Sequence, residues 1–141
     1  MLQHHSLPGF APVDSGDANG RSNGRPVGWH NPPAGKPYHL LVIGAGPAGL
    51  VAARAAAALG ARVALIEKNL LGGVSLNSGC VPSQALIRTS RLYAEMRNAE
   101  VYGAKSPPTV EVDFPLAMQR MRRIRARAAC LDSAHAVAAA G

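Results

Sequence analysis

Cysteine is scarce in this chain of 141 residues: there are two, Cys80 and Cys130, far apart. Such a pair is no disulfide framework of the kind small secreted domains use, so a reducing, cytoplasmic setting is expected. Acidic residues are few as well, eight Asp and Glu against fifteen Lys and Arg, and the formal charge is +7. An excess of that sign suits nucleic acid, an anionic surface, an anionic cofactor or simply a solvated face. Aromatic residues make up only 4% of the chain, and no basic run is interleaved with them as single-strand binding requires. The start, Met1-Leu2-Gln3-His4-His5, lacks the basic and apolar regions of a signal peptide. Leu40 to Leu59 approaches membrane length, yet Gly44, Gly46, Pro47, Gly49 and Arg54 interrupt it. No membrane span, no nucleic-acid partner and no metal site are therefore expected.

What is present is a globular share of apolar residues, 48%, distributed unevenly. Residues 1–37 are rich in Pro, Gly, Asn, Ser and His and read as a flexible extension, in which Trp29 alone is expected to dock on a folded surface. From Tyr38 the pattern changes. His39-Leu40-Leu41-Val42-Ile43 is a short apolar run of the kind that forms a buried parallel strand. A glycine turn comes next at 44–49, then an alanine-rich helix from Leu50 to Leu59 that Gly60 ends. Val63-Ala64-Leu65-Ile66 is a second buried strand, with Glu67 at its end. This is a βαβ unit.

A glycine loop, Leu71-Gly72-Gly73-Val74, leads to a helix expected to start near Gly79 to Pro82 and to run towards Met96. Pro107-Pro108 marks a loop and Val110-Glu111-Val112 a short extended piece. Asp113 as cap and Pro115 just inside open a third helix. There Met118, Met121, Ile124 and Ala128 form an apolar stripe, opposed by a solvated face carrying Arg120, Arg123 and Arg127, with Arg122 and Arg125 beside it.

Gly44-Ala45-Gly46-Pro47-Ala48-Gly49 fits G-x-G-x-x-G. In that pattern the first glycine permits the tight turn, the second lets a pyrophosphate approach the backbone, and the third packs helix on strand. The helix behind it offers unpaired N–H groups and a positive dipole end. Glu67 falls where a carboxylate accepts hydrogen bonds from a ribose 2′-hydroxyl. Strand, turn, helix, strand and acid together predict a dinucleotide site, without separating FAD from NAD.

The run Gly72-Gly73-Val74-Ser75-Leu76-Asn77-Ser78-Gly79-Cys80-Val81-Pro82-Ser83-Gln84-Ala85-Leu86 resembles the redox-active segment of class I pyridine nucleotide–disulfide oxidoreductases, G-G-x-C-L-N-x-G-C-x-P-S-K. Trp29-His30-Asn31-Pro32 and the stretch Ala85 to Gly103 are most similar to mercuric reductase-type members, with dihydrolipoamide dehydrogenase and glutathione reductase as near relatives.

The resemblance implies an FAD-containing homodimer in which electrons pass from NAD(P)H through flavin to a cysteine pair. It implies a Rossmann-like α/β fold, with Gly44, Gly46, Pro47, Ala48, Gly49, Glu67, Lys68, Gly73, Val74 and Gln84 binding FAD and Cys80 as the flavin-proximal thiol. Two positions depart from it. Ser75 stands at the interchange cysteine, and a serine hydroxyl makes no disulfide; Gln84 stands at the lysine beside the flavin. Cys130 matches no motif and is expected to be structural. Residues 38–141 are thus expected to form a partial FAD-binding domain with an incomplete parallel sheet followed by helices, without NAD(P) or dimerisation domains. Such a piece would be a fragment or degenerate copy of a disulfide reductase, complemented by another chain or by dimerisation of a longer product. The rival readings are a single-cysteine FAD oxidoreductase and a non-catalytic nucleotide-binding module.

Overall fold

Two short strands and the helix between them organise the N-terminal half. The computed structural model describes residues 28–33, 35–106 and 108–141. The reading of residues 1–37 as an extension thus falls mainly outside the described residues, as does Pro107 of the expected loop. Strand β1 (Leu40–Ile43) pairs in parallel with β2 (Val63–Ile66), Leu40 opposite Val63 and Ile43 opposite Ile66. Helix α1 (Pro47–Ala58) makes the crossover and buries Leu50 and Ala53. It begins earlier than its apolar run because Pro47, with its preset φ, already occupies the first helical turn. Gly60 takes a φ of +83°, which lets the chain reverse after α1 at no Cβ cost.

The rest is helical. Helix α2 (Gly73–Asn77) is followed by α3 (Cys80–Arg97), a 3-10 turn (Ala99–Tyr102), α4 (Phe114–Leu131) and α5 (Ala134–Ala138). The Asp113 side chain accepts a hydrogen bond from the Leu116 N–H at 2.9 Å, so the expected cap is in place. α3 packs on α4, α3 burying Pro82 and Ala85 and α4 burying Ala117, Met121 and Ala129. Val110 to Val112 forms no strand. Trp29 docks edge-on against His135 of α5, with ring centroids 5.8 Å apart. Arg54 of α1 ties down the end of α4, donating to the Asp132 carboxylate at 3.1 Å and to the Leu131 carbonyl at 2.6 Å.

Three expectations are corrected. The strands are not buried: Leu41 is 55% and Ile43 81% exposed, because among the described residues the sheet has two strands and α1 covers it from one side. The face of α4 carrying Arg120, Arg123 and Arg127 is exposed as expected, but Arg125 beside it is half-buried, and Arg120 and Arg125 are engaged. Arg120 donates to the Ala85 carbonyl at 3.0 Å and to Thr89 Oγ1 at 3.2 Å, and Arg125 to the Asn77 carbonyl at 3.3 Å. Cys130 is exposed rather than packed in a core, its thiol directed at the Ala126 carbonyl at 3.4 Å. Among the described residues no helix is long and apolar enough to cross a membrane.

Candidate nucleotide site

The glycine turn leaves β1 through Gly44, whose φ of +100° is closed to most side chains. The Gly44 N–H donates to the Ile66 carbonyl at 2.8 Å, so the turn is pinned to the end of β2 from its first residue. Gly49 faces back onto that turn. A Cβ there would collide with the Gly44 carbonyl oxygen, which explains the third glycine as a packing requirement. Gly46 is different: its φ of −74° is ordinary, and a Cβ would meet nothing within 4 Å. Its absent side chain leaves open space in front of the backbone. No side chain caps α1, whose first turn, Pro47, Ala48 and Gly49, comes directly after.

Glu67 is joined to this turn. The Ala45 N–H donates to Glu67 Oε2 at 2.8 Å, and the Asn69 N–H to Oε1 at 2.9 Å. The Ala45 bond first, and the Asn69 bond after it, hold the carboxyl below the usual carboxylate range, against a smaller opposing effect of burial. A carboxylate has about four acceptor directions, so room remains for a hydroxyl. Lys68, next in sequence, is exposed.

A second glycine loop closes on the first. The Gly72 N–H donates to the Ala45 carbonyl at 2.7 Å. At Gly73, whose φ is +59°, a Cβ would sit 2.9 Å from the Gly46 Cα. Backbone lies against backbone there, and any side chain would push the loops apart. Asn77 holds α2 on this loop, its amide donating to the Leu71 and Gly73 carbonyls at 3.0 and 2.8 Å. The sequence reading missed that role, although Asn77 lies inside the motif it used; an amide four residues after a helix start is the signal that could have found it.

Ser75, on α2, and Cys80, the first residue of α3, come together, the exposed Cys80 thiol directed at Ser75 Oγ at 3.7 Å. Val74 is exposed on the same short helix. Gln84, exposed one turn along α3, shares an open groove with Cys80, Arg88 and Arg120. The structure therefore gathers the expected residues into two clusters. Gly44 to Gly49, Glu67 and Gly73 form one; Ser75, Cys80 and Gln84 form the other, joined to the first through α2.

A parallel βαβ unit with an acid at the end of β2 braced on the glycine turn defines a Rossmann-like α/β protein. The chain belongs to the pyridine nucleotide-disulphide oxidoreductase family, which it matches over residues 38–138. It is 46% identical over 84 residues to the dihydrolipoyl dehydrogenase of Zymomonas mobilis subsp. mobilis, a match covering 59% of this chain and 18% of that protein. With the dihydrolipoyl dehydrogenase of Geobacillus stearothermophilus it shares 51% identity over 74 residues, 52% of this chain and 16% of that protein. With dihydrolipoyl dehydrogenase 3 of Haloarcula marismortui the identity is 53% over 74 residues, again 52% and 16%. The matched part of this chain thus spans less than a fifth of these relatives' length.

Proposed function

We propose that this chain binds FAD through its βαβ turn, as the FAD-binding part of a flavoprotein oxidoreductase. The observation that carries the reading is the 2.8 Å bond from the Ala45 N–H to Glu67, which fixes the acid beside the glycine turn. The residues present fit the group. Open space before Gly46 leaves backbone accessible to a pyrophosphate, and the uncapped first turn of α1, with Pro47, Ala48 and Gly49, offers N–H donors and dipole. Glu67 would take the adenosine ribose, with Lys68 beside it. Gly73 and Val74 would continue the cradle, and Gln84 and Cys80 would lie by the ring system.

FAD, when bound, supplies reversible hydride and electron acceptance. The chain's own residues limit how that capacity can be used. Ser75 cannot pair with Cys80, so no dithiol is available for exchange, and Arg88 and Arg120 supply positive charge in the groove where Gln84 is neutral. Titration of the purified chain with FAD, read by flavin fluorescence, tests the proposal. Glu67→Ala should weaken binding by about 1.5–3 kcal/mol, the scale of a hydrogen bond to a charged group. Unchanged affinity in that variant removes Glu67 from the site.

The exposed Cys80, with a serine as its neighbour, favours a second reading: a non-catalytic nucleotide-binding module or a single-cysteine oxidoreductase. NAD(P)H-dependent turnover above a free-flavin control separates them, and we expect none with disulfides or with mercuric ion, the substrate that the likeness of Trp29–Pro32 and residues 85–103 raises. Association with a complementary chain or a second copy belongs to the same proposal.

A further inference from the structure

The outer edge of β2 opens onto a groove of about 600 Å³, within the size range of small-molecule sites. All four residues of β2 line it. Successive side chains of a strand point to opposite faces, so a groove touched by all four runs along the strand's edge. The Leu40 N–H donates to the Arg62 carbonyl and the Gly44 N–H to the Ile66 carbonyl, so residues 62 and 66 turn their backbone groups to β1. By the period of two, Ala64 does the same, and Val63 and Leu65 present theirs to the groove. The lining continues through Glu67 and Lys68, and so reaches the acid that braces the glycine turn. Trp29 lines the groove as well. It meets His135 at an interplanar angle of 82°, which leaves at least one indole face clear of that ring. The charges along the groove are matched within the chain. Arg54 pairs with Asp132 at 3.1 Å, and Glu67 takes N–H groups from Ala45 and Asn69 and attracts Lys68. Most of the other lining residues are apolar.

From these features we infer that the groove is an adenine pocket, so that the chain binds an adenine nucleotide with or without a flavin attached. The inference rests on the reading of Glu67 as the ribose acceptor. A ribose held there has its phosphates on one side and its base on the other. The glycine turn takes the phosphates, and the groove takes the base. A neutral, flat base suits a groove whose charges are paired internally. It also suits the strand edge. An outward-facing residue offers an N–H and a C=O side by side, and adenine presents a ring-nitrogen acceptor next to its N6 donor. Leu65, two residues before Glu67 on the outward parity, makes both bonds. The indole of Trp29 then supplies a stacking face, which holds a base without needing further polar groups.

Titration of the full chain with ADP tests this. Trp29 is the chain's one tryptophan, so its fluorescence should fall as the base stacks. In residue-resolved amide exchange at saturating ADP, Leu65 should slow at least roughly tenfold relative to Ala64 and Ile66, whose N–H groups face β1. Trp29→Ala should weaken ADP binding roughly tenfold, within the range for losing a stacked base, and Trp29→Phe should keep most of it. Should Trp29→Ala fail to fold, the exchange pattern of the unaltered chain decides by itself. ADP carrying two methyl groups on N6 lacks the donor and should bind at least roughly tenfold more weakly. Equal binding of the two nucleotides overturns the proposal. FAD that binds while ADP leaves Trp29 and Leu65 unmoved also overturns it, and spares the FAD reading. ADP that protects Leu65 in a chain without affinity for FAD supports it and removes that reading instead.

Discussion

Gly46 and Gly49 lie three residues apart on the same turn, yet their missing side chains serve different ends. At Gly49 a methyl group would strike the Gly44 carbonyl, so Gly49→Ala should destabilise the fold by several kcal/mol, on the order of an overpacked core with backbone shift. At Gly46 a methyl group meets open space at an ordinary φ. Gly46→Ala should therefore leave the thermal midpoint nearly unchanged while weakening FAD binding at least tenfold, on the order of 1.4 kcal/mol. Melting curves and flavin titration of the two variants separate folding from binding. Glu67 adds a pH signature. Its folded carboxyl titrates below the ordinary glutamate value because the Ala45 and Asn69 N–H groups favour the charged form. The brace is thus complete above the unfolded value, about 4.3, and is lost as pH falls through the lower folded one. The Ala45 amide resonance should hold steady from neutral pH down to that range and move only below it; Glu67→Gln should abolish the movement.

Among the described helices α3 and α4 make the most extensive contact, and Met121 is its most buried long side chain. Met121→Ala should cost about 2 kcal/mol in urea unfolding, the lower end for truncating a buried residue, while the exposed Leu116→Ala should cost under about 0.5 kcal/mol. Elements of this kind were legible where local chemistry decides them. β1, α1 and β2 follow from apolar runs separated by a glycine turn, and the start of α4 follows from Asp113 and Pro115. α2 and α5 were not legible. Each has five residues, too few for a periodic stripe; α2 is held by Asn77 on the neighbouring glycine loop, and α5, besides its Ser133 cap, leans on the distant Trp29. The turn-and-acid half of the site was legible because its pattern encodes backbone geometry. The bracing of Glu67 by Ala45 was not, since main-chain donors leave no mark on residue type. The exposure of β1 was misjudged for a related reason: an apolar run reports a need for cover, and says nothing about what supplies it.

At the scale of the whole molecule, that uncovered surface bears on association. Leu41 and Ile43 present an apolar, uncharged strand to solvent, the kind of edge that invites association. Light scattering of the 141-residue chain should show association that rises with concentration, and Ile43→Lys should reduce it. FAD in hundredfold excess over its dissociation constant should add about 2.7 kcal/mol to the unfolding free energy, provided the unfolded chain does not bind it. The clasp between Arg54 and Asp132 has a consequence of another sort, in time. Its partners are 78 residues apart in sequence, whereas Ala45 and Glu67 are separated by 22. Closing a loop costs more entropy as it lengthens, and local pairings form first. The βαβ piece should therefore assemble early and the clasp latch late, after the main barrier is crossed. A late latch governs how long the native state persists rather than how fast it is reached. In stopped-flow experiments Asp132→Ala should quicken unfolding and leave the refolding rate almost untouched.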